Sequence, residues 1–213
     1  MQSAISDITN ELSSQFDFMY AQSPFPLNVW VEDPPGGKTN PTTSSYVDQL
    51  SYEYLDNFIT QHGYFKGILG YSQGAMYVAA YLARNPNNAF EFAAMFCGYL
   101  PETHLGLMNR INSAYPFTIN ALVFMGVNDA TISNAQTYAL AGKFSNPTIY
   151  ESNTAGHAPP VETDDKFSDV VSWIRANVMP FPPSTPPPSP SAPGFPLEPL
   201  PFSPPPSLPH PAI

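Results

Sequence analysis

Cysteine is almost missing from this chain: Cys97 is the only one in 213 residues. No disulfide framework can form within it, which fits a reducing compartment and predicts a cytoplasmic protein. Cys97 closes an apolar run from Phe92 and reads as a small buried hydrophobe. Basic side chains are scarce too, with seven Lys and Arg against 17 Asp and Glu and a formal net charge of −10. A chain of this charge with no basic run is repelled by phosphate backbones and anionic lipid, which argues against nucleic acid and membrane surfaces as partners. No run reaches the ~18 apolar residues of a membrane-span candidate. The first residues lack the basic-then-apolar pattern of a signal peptide.

Proline is abundant and unevenly spread. Of 27 prolines, 16 lie in residues 180–213, a segment with no Lys or Arg and one acid, Glu198. Such a stretch cannot bury enough apolar surface to offset chain entropy, so it is expected to be a disordered or polyproline II tail. Residues 1–179 then form the folded domain. The stretches Pro186-Pro187-Pro188 and Pro204-Pro205-Pro206 are weak candidates for docking SH3- or WW-type domains. They lack the flanking Lys or Arg that such motifs use.

Within the domain, Ser3 is placed to cap a first helix with Ile5, Ile8, Leu12 and Phe16 on one face. The alternation Phe16-Asp17-Phe18-Met19-Tyr20 predicts a strand. Residues 22–44 form a Pro- and Gly-rich loop carrying Phe25 and Trp30, and loops this long are uncommon unless functional. Two roles are open for it: a wall of a substrate pocket, or a surface excursion with Trp30 against the core. A second helix is expected over 46–62, capped through Ser45 and Asp48, with Val47, Leu50, Tyr54 and Phe58 inward and Gly63 as terminator. His62 at its end reads as a dipole partner or surface residue. Further strands are expected at 67–69, 91–97, 119–125 and 148–151, and helices at 75–84, 134–144 and 163–178. Residues 102–115, with His104, read as an irregular loop. This alternation implies parallel βαβ units in a doubly wound α/β sheet, with functional residues where strands end.

Gly70-Tyr71-Ser72-Gln73-Gly74 sits between a strand and a helix, the G-x-S-x-G pattern of a nucleophile elbow. There the serine is held in strained geometry above the sheet, and the residues two before and two after must be small enough for strand and helix to pass. Asp129 follows the next strand but one, and His157 follows the one after that. A serine hydroxyl needs a neutral imidazole to take its proton, and that imidazole needs a carboxylate to hold its tautomer. Ser72, Asp129 and His157 occur in that chain order in successive strand-end loops, so they are the expected catalytic residues. Asp164 and Asp165 are competing acids, expected instead to complement the dipole of the last helix.

The segments Gly67-Ile68-Leu69-Gly70-Tyr71-Ser72-Gln73-Gly74-Ala75, Phe96-Cys97-Gly98-Tyr99-Leu100-Pro101, Gly126-Val127-Asn128-Asp129 and Gly156-His157-Ala158-Pro159-Pro160 together resemble the FSH family of serine hydrolases, which includes an ovarian-tumour-associated group. The resemblance implies an α/β-hydrolase fold and carboxylic-ester hydrolysis without cofactor or metal. It implies Ser72 as nucleophile, Asp129 as acid, His157 as base and the amide of Gln73 as an oxyanion-hole donor. The substrate would be a small-molecule acyl ester. Members of the family open with an apolar strand ending in a Leu-His-Gly-like loop, and no such strand precedes the first helix here. An N-terminally truncated form of an active esterase is the leading expectation. The alternatives are a catalytically impaired pseudo-hydrolase that binds acyl compounds, and a scaffold acting through its proline-rich tail.

Overall fold

In a computed structural model of the chain, residues 2–37, 40–85 and 90–177 are described. The proline-rich tail expected at 180–213, with its two proline motifs, lies outside these residues.

Four strands form one parallel sheet in sequential order: β1 (Gly67–Tyr71), β2 (Phe92–Phe96), β3 (Asn120–Gly126) and β4 (Thr148–Ser152). Helices α1 (Ser6–Leu12), α2 (Gln49–His62), α3 (Gln73–Arg84), α4 (Leu105–Ala114), α5 (Asn134–Ala141) and α6 (Phe167–Ala176) complete the order. β2 is buried along its whole length and reads as a continuous apolar run, as a parallel strand covered on both faces must. Its side chains alternate between two cores. Ala93 and Met95, with Ala121, Val123 and Met125 of β3, meet α2, α3, α4 and α5. Phe92, Ala94 and Phe96, with Leu122 and Phe124, meet α1 and α6. Because the strands run in sequential order and parallel crossovers share one hand, α3, α4 and α5 must lie on the same face. Every strand therefore ends at the same edge of the sheet.

Several expected elements differ. Phe16–Tyr20 forms no strand; Phe16 and Phe18 pack edge-to-face at 6.4 Å against the second core, and β1 pairs only with β2 among the described residues. The alternation there reflects packing onto a core, not a ladder. The first helix begins with a 3-10 turn over Gln2–Ile5 and has no side-chain cap, so Ser3 does not act as one. Residues 105–114, expected as an irregular loop, are helical, with Leu107 and Ile111 fully buried one turn apart. Helix α5 carries a reciprocal capping box between Ser133 and Gln136, and α6 starts at Phe167, later than expected.

Helix α2 starts at Gln49, and its inner face runs through Ser51 and Leu55, while Leu50 is exposed. Gly63 ends it at φ +88°, as expected. Asp48 makes no cap bond. Its fully buried carboxylate instead receives the Arg110 guanidinium at 2.8 Å and lies 3.9 Å from that of Arg84, tying α2, α3 and α4 together. The buried charge thus sits at the start of a helix whose inner face runs through Ser51 and Leu55 and not through Leu50. Removing one partner of a buried pair strands the others, although both arginines here retain some water access. Asp48→Ala is expected to lower the unfolding free energy by about 2–4 kcal/mol in a urea titration.

Candidate active site

Ser72 leaves β1 with φ +54° and ψ −119°, a backbone state that costs a non-glycine residue roughly 1–3 kcal/mol. Its N–H still continues the sheet ladder, donating to Phe96 O at 2.9 Å, and its C=O already accepts the first N–H groups of α3 from Ala75 and Met76. The serine is thus clamped between strand and helix. Gly70 is required for this: a Cβ there would lie 2.4 Å from Gly74 O. Gly74 is not required in the same way, since its own Cβ would meet nothing nearer than Trp30 Nε1 at 3.6 Å. Only one of the two flanking glycines expected to be forced by packing is so.

Asp129 follows β3 in a tight turn. Its Oδ1 accepts the N–H groups of Thr131 and Ile132, both at 2.8 Å, and its Oδ2 accepts Nδ1 of His157 at 2.7 Å. Burial pushes the carboxyl pKa up, but the Ile132 amide, the His157 hydrogen bond and the Thr131 amide outweigh it and hold the group below its ordinary value. On the other side of the ring, Nε2 of His157 lies 3.0 Å from Ser72 Oγ. The Asp129 side chain is 1% exposed and that of His157 19%, so the acid is dry while the base opens to the surface. Gly126 lets the Asp129 and His157 loops meet, since a Cβ there would sit 2.4 Å from the carbonyls of Ala155 and Gly156. The structure therefore brings the three expected residues together in one hydrogen-bonded line.

Gln73 occupies the first turn of α3, ahead of the intrahelical ladder, where backbone N–H groups are left to face a ligand. Its side chain has a second use that the sequence did not disclose. Oε1 accepts Trp30 N–H at 2.6 Å and Val31 N–H at 3.4 Å, while Nε2 donates to Val31 O at 2.8 Å. Ser51 Oγ donates to Trp30 O, and the Trp30 ring stacks on Tyr77 at 5.1 Å. Trp30 is thus half-buried against α3, the second of the two roles left open for its loop, yet fastened directly to the elbow. His104 is buried before α4 and not a free loop residue; its Nε2 lies 2.8 Å from Glu32 O and steadies the same loop.

Asp164 sits at the start of the last helix as expected, its Oδ1 accepting Lys166 N–H at 3.0 Å, but Asp165 does not serve that helix. Asp165 accepts from Ser152 Oγ at 2.7 Å and from Asn153 N–H and Nδ2, while Ser152 Oγ in turn accepts Ala155 N–H at 2.9 Å. The hydrogen bond from Ser152 is the leading cause that holds the Asp165 carboxyl well below its usual range. A carboxylate with a folded pKa below the unfolded one stabilises fully above the unfolded value, near 3.9, and loses that contribution as pH falls through the folded value. Asp165→Asn is therefore expected to melt below the wild type at pH 7. The gap should close as the pH is lowered past 3.9, read by thermal denaturation across pH.

Cys97 Sγ, the Asp129 carboxylate and a ring nitrogen of His157 lie within 4.8 Å of one another, a ligand set of the kind zinc accepts. Each is already engaged, the imidazole by Asp129 and the thiol by loop carbonyls, so a cation would have to break the Asp129–His157 bond. Two surface cavities of about 180 and 420 Å³ open toward the N-terminal end of the strands, around Tyr64 and Phe90 and around Phe117 and Asn120; neither includes Ser72. No helix among the described residues is long and apolar enough to cross a membrane.

A family model described as Serine hydrolase (FSH1) matches residues 1–167. Esterase FUS5 of Gibberella moniliformis is 34% identical over 153 residues, 69% of this chain and 62% of that protein. Esterase OVCA2 of Xenopus tropicalis is 34% identical over 102 residues, 46% of this chain and 43% of its own. The chain thus spans less than two thirds of the length of these relatives. Among solved structures, esterase PE8 superposes with a TM-score of 0.60 at 15% identity, covering 83% of this chain and 86% of that one. A Bacillus cereus carboxylesterase gives 0.58 at 15% identity over 83% and 82%. These two likenesses place the fold among α/β hydrolases.

Proposed function

We propose, starting from a chain that belongs to the serine hydrolase (FSH1) family, that it cleaves carboxylic esters through an acyl-enzyme formed on Ser72. The observation that carries the reading is the single line of contacts from Asp129 Oδ2 through His157 Nδ1 and Nε2 to Ser72 Oγ, at 2.7 and 3.0 Å. With Nδ1–H committed to Asp129, Nε2 is left without a proton and can take the one on the serine hydroxyl. Ser72 then attacks the ester carbonyl, and the negative oxygen is met by the Gln73 N–H at the helix start. The imidazolium returns its proton to the departing alcohol. Water, deprotonated by the same imidazole, releases the acid. The names of the relatives, two esterases among them, agree with an acyl ester as substrate.

The test is pre-steady-state hydrolysis of p-nitrophenyl acetate by the full chain. A burst of nitrophenol matching the enzyme concentration, with an acetyl group trapped on the Ser72 peptide by acid quench and mass spectrometry, is the expected result. Nitrophenol release with no burst and an acetyl group elsewhere contradicts the reading.

A further inference from the structure

The imidazole of His157 stands on an irregular loop, yet the reading above needs it held at two hydrogen-bond distances at once. Helices and strands satisfy their own carbonyls; a coil has to find donors elsewhere. Gly156 O is met within the loop by Ala158 N–H at 3.0 Å, while the carbonyls of the next two residues, His157 and Ala158, find their donors in two side chains from the ends of β1 and β2. Tyr71, immediately before the nucleophile, donates its hydroxyl to His157 O at 2.7 Å, and its ring lies 5.3 Å from the imidazole. Cys97, immediately after β2, presents its S–H between Ala158 O at 3.4 Å and Gly156 O at 3.8 Å. Cys97 is wholly buried and adopts φ +50°, a turn of the backbone that a non-glycine residue rarely makes.

We propose that Tyr71 and Cys97 are positioning residues that cradle the His157 loop from below and hold its imidazole in register with both Ser72 and Asp129. The inference rests on the Ser72–His157–Asp129 reading. Burial and its neighbours push the Cys97 thiol up to about 12 and raise the Tyr71 phenol, so both keep their protons and stay donors wherever the site operates. Cys97 is accordingly a structural donor and not a second nucleophile. The start of the same loop is held by Ser152 and Asp165, and Ala155 and Gly156 have backbone donors, which leaves the carbonyls of His157 and Ala158 to these two side chains. Position matters steeply here, because a displacement of the order of 1 Å in a reacting group can cost about 100-fold in rate.

The experiment is steady-state hydrolysis of p-nitrophenyl acetate by the full chain and by Tyr71→Phe, Cys97→Ala, Cys97→Ser and Ser72→Ala, with a thermal melt of each. Tyr71→Phe keeps the ring and removes only the donor. Its kcat is expected to fall about 10-fold, with KM within about twofold and the melting temperature nearly unchanged. Cys97→Ala should fall by a smaller factor, and Cys97→Ser, which restores a donor, should recover part of the loss. Wild-type kcat in both Tyr71→Phe and Cys97→Ala overturns the cradle while leaving the nucleophile intact. Turnover that persists in Ser72→Ala overturns the underlying reading, and the cradle with it.

Discussion

Ester turnover by Ser72→Ala is expected to fall by roughly 10⁵- to 10⁶-fold, to the residue of catalysis that binding and oxyanion donors alone provide. The loss is this large because no other nucleophile is available at the same place. Cys97, the nearest candidate, is buried with its thiol pushed up to about 12 and turned onto the carbonyls of the His157 loop. The fold should be unharmed. The hydroxyl makes one hydrogen bond, to His157, while the backbone bonds that fix the elbow come from Ser72 N–H and C=O and are kept by alanine. Circular dichroism beside the rate measurement separates the two effects: a folded chain with full turnover would remove Ser72 from the chemistry.

Asp129→Asn is expected to lower kcat by about 10,000-fold, although it changes one atom. The reason lies in the two backbone donors. Thr131 N–H and Ile132 N–H both point at Oδ1 at 2.8 Å, and an asparagine must keep its carbonyl oxygen there. Its NH₂ is then forced to face Nδ1 of His157. A donor facing Nδ1 puts the imidazole proton on Nε2, so the ring offers Ser72 a proton when it should take one. Measured kcat at constant pH, with an unchanged circular dichroism spectrum, checks this. A loss of only a few-fold would mean that the carboxylate orients nothing.

Much of this was legible in the sequence, and the reasons differ by element. The elbow could be read because Gly70 answers a local steric demand, a Cβ lying 2.4 Å from Gly74 O. Asp129 and His157 could be read because parallel order places successive strand ends on one edge, so chain order maps onto spatial order. Helix α4 was missed because Gly106, Asn109 and Asn112 mask a face on which Leu107 and Ile111 do the packing. The strand expected at Phe16–Tyr20 was wrong because period-two alternation records which side chains are apolar, not whether a neighbouring ladder exists. The face of α2 differs from the apolar pattern, with Ser51 and Leu55 inward and Leu50 exposed, and the pairing of buried Asp48 with Arg84 and Arg110 joins residues too distant in sequence for a local pattern to mark. The Gln73 clamp on Trp30 and Val31 and the roles of Tyr71 and Cys97 join residues from 42 to 86 positions apart, and no local pattern marks them.

The most direct test of the central claim is covalent labelling of the full 213-residue chain with a fluorophosphonate probe, mapped by peptide mass spectrometry. The account predicts stoichiometric label on the peptide carrying Ser72, none in Ser72→Ala, and a greatly slowed reaction in His157→Ala, with all three chains folded. A folded wild-type chain that takes no label, or takes it equally in Ser72→Ala, would contradict it.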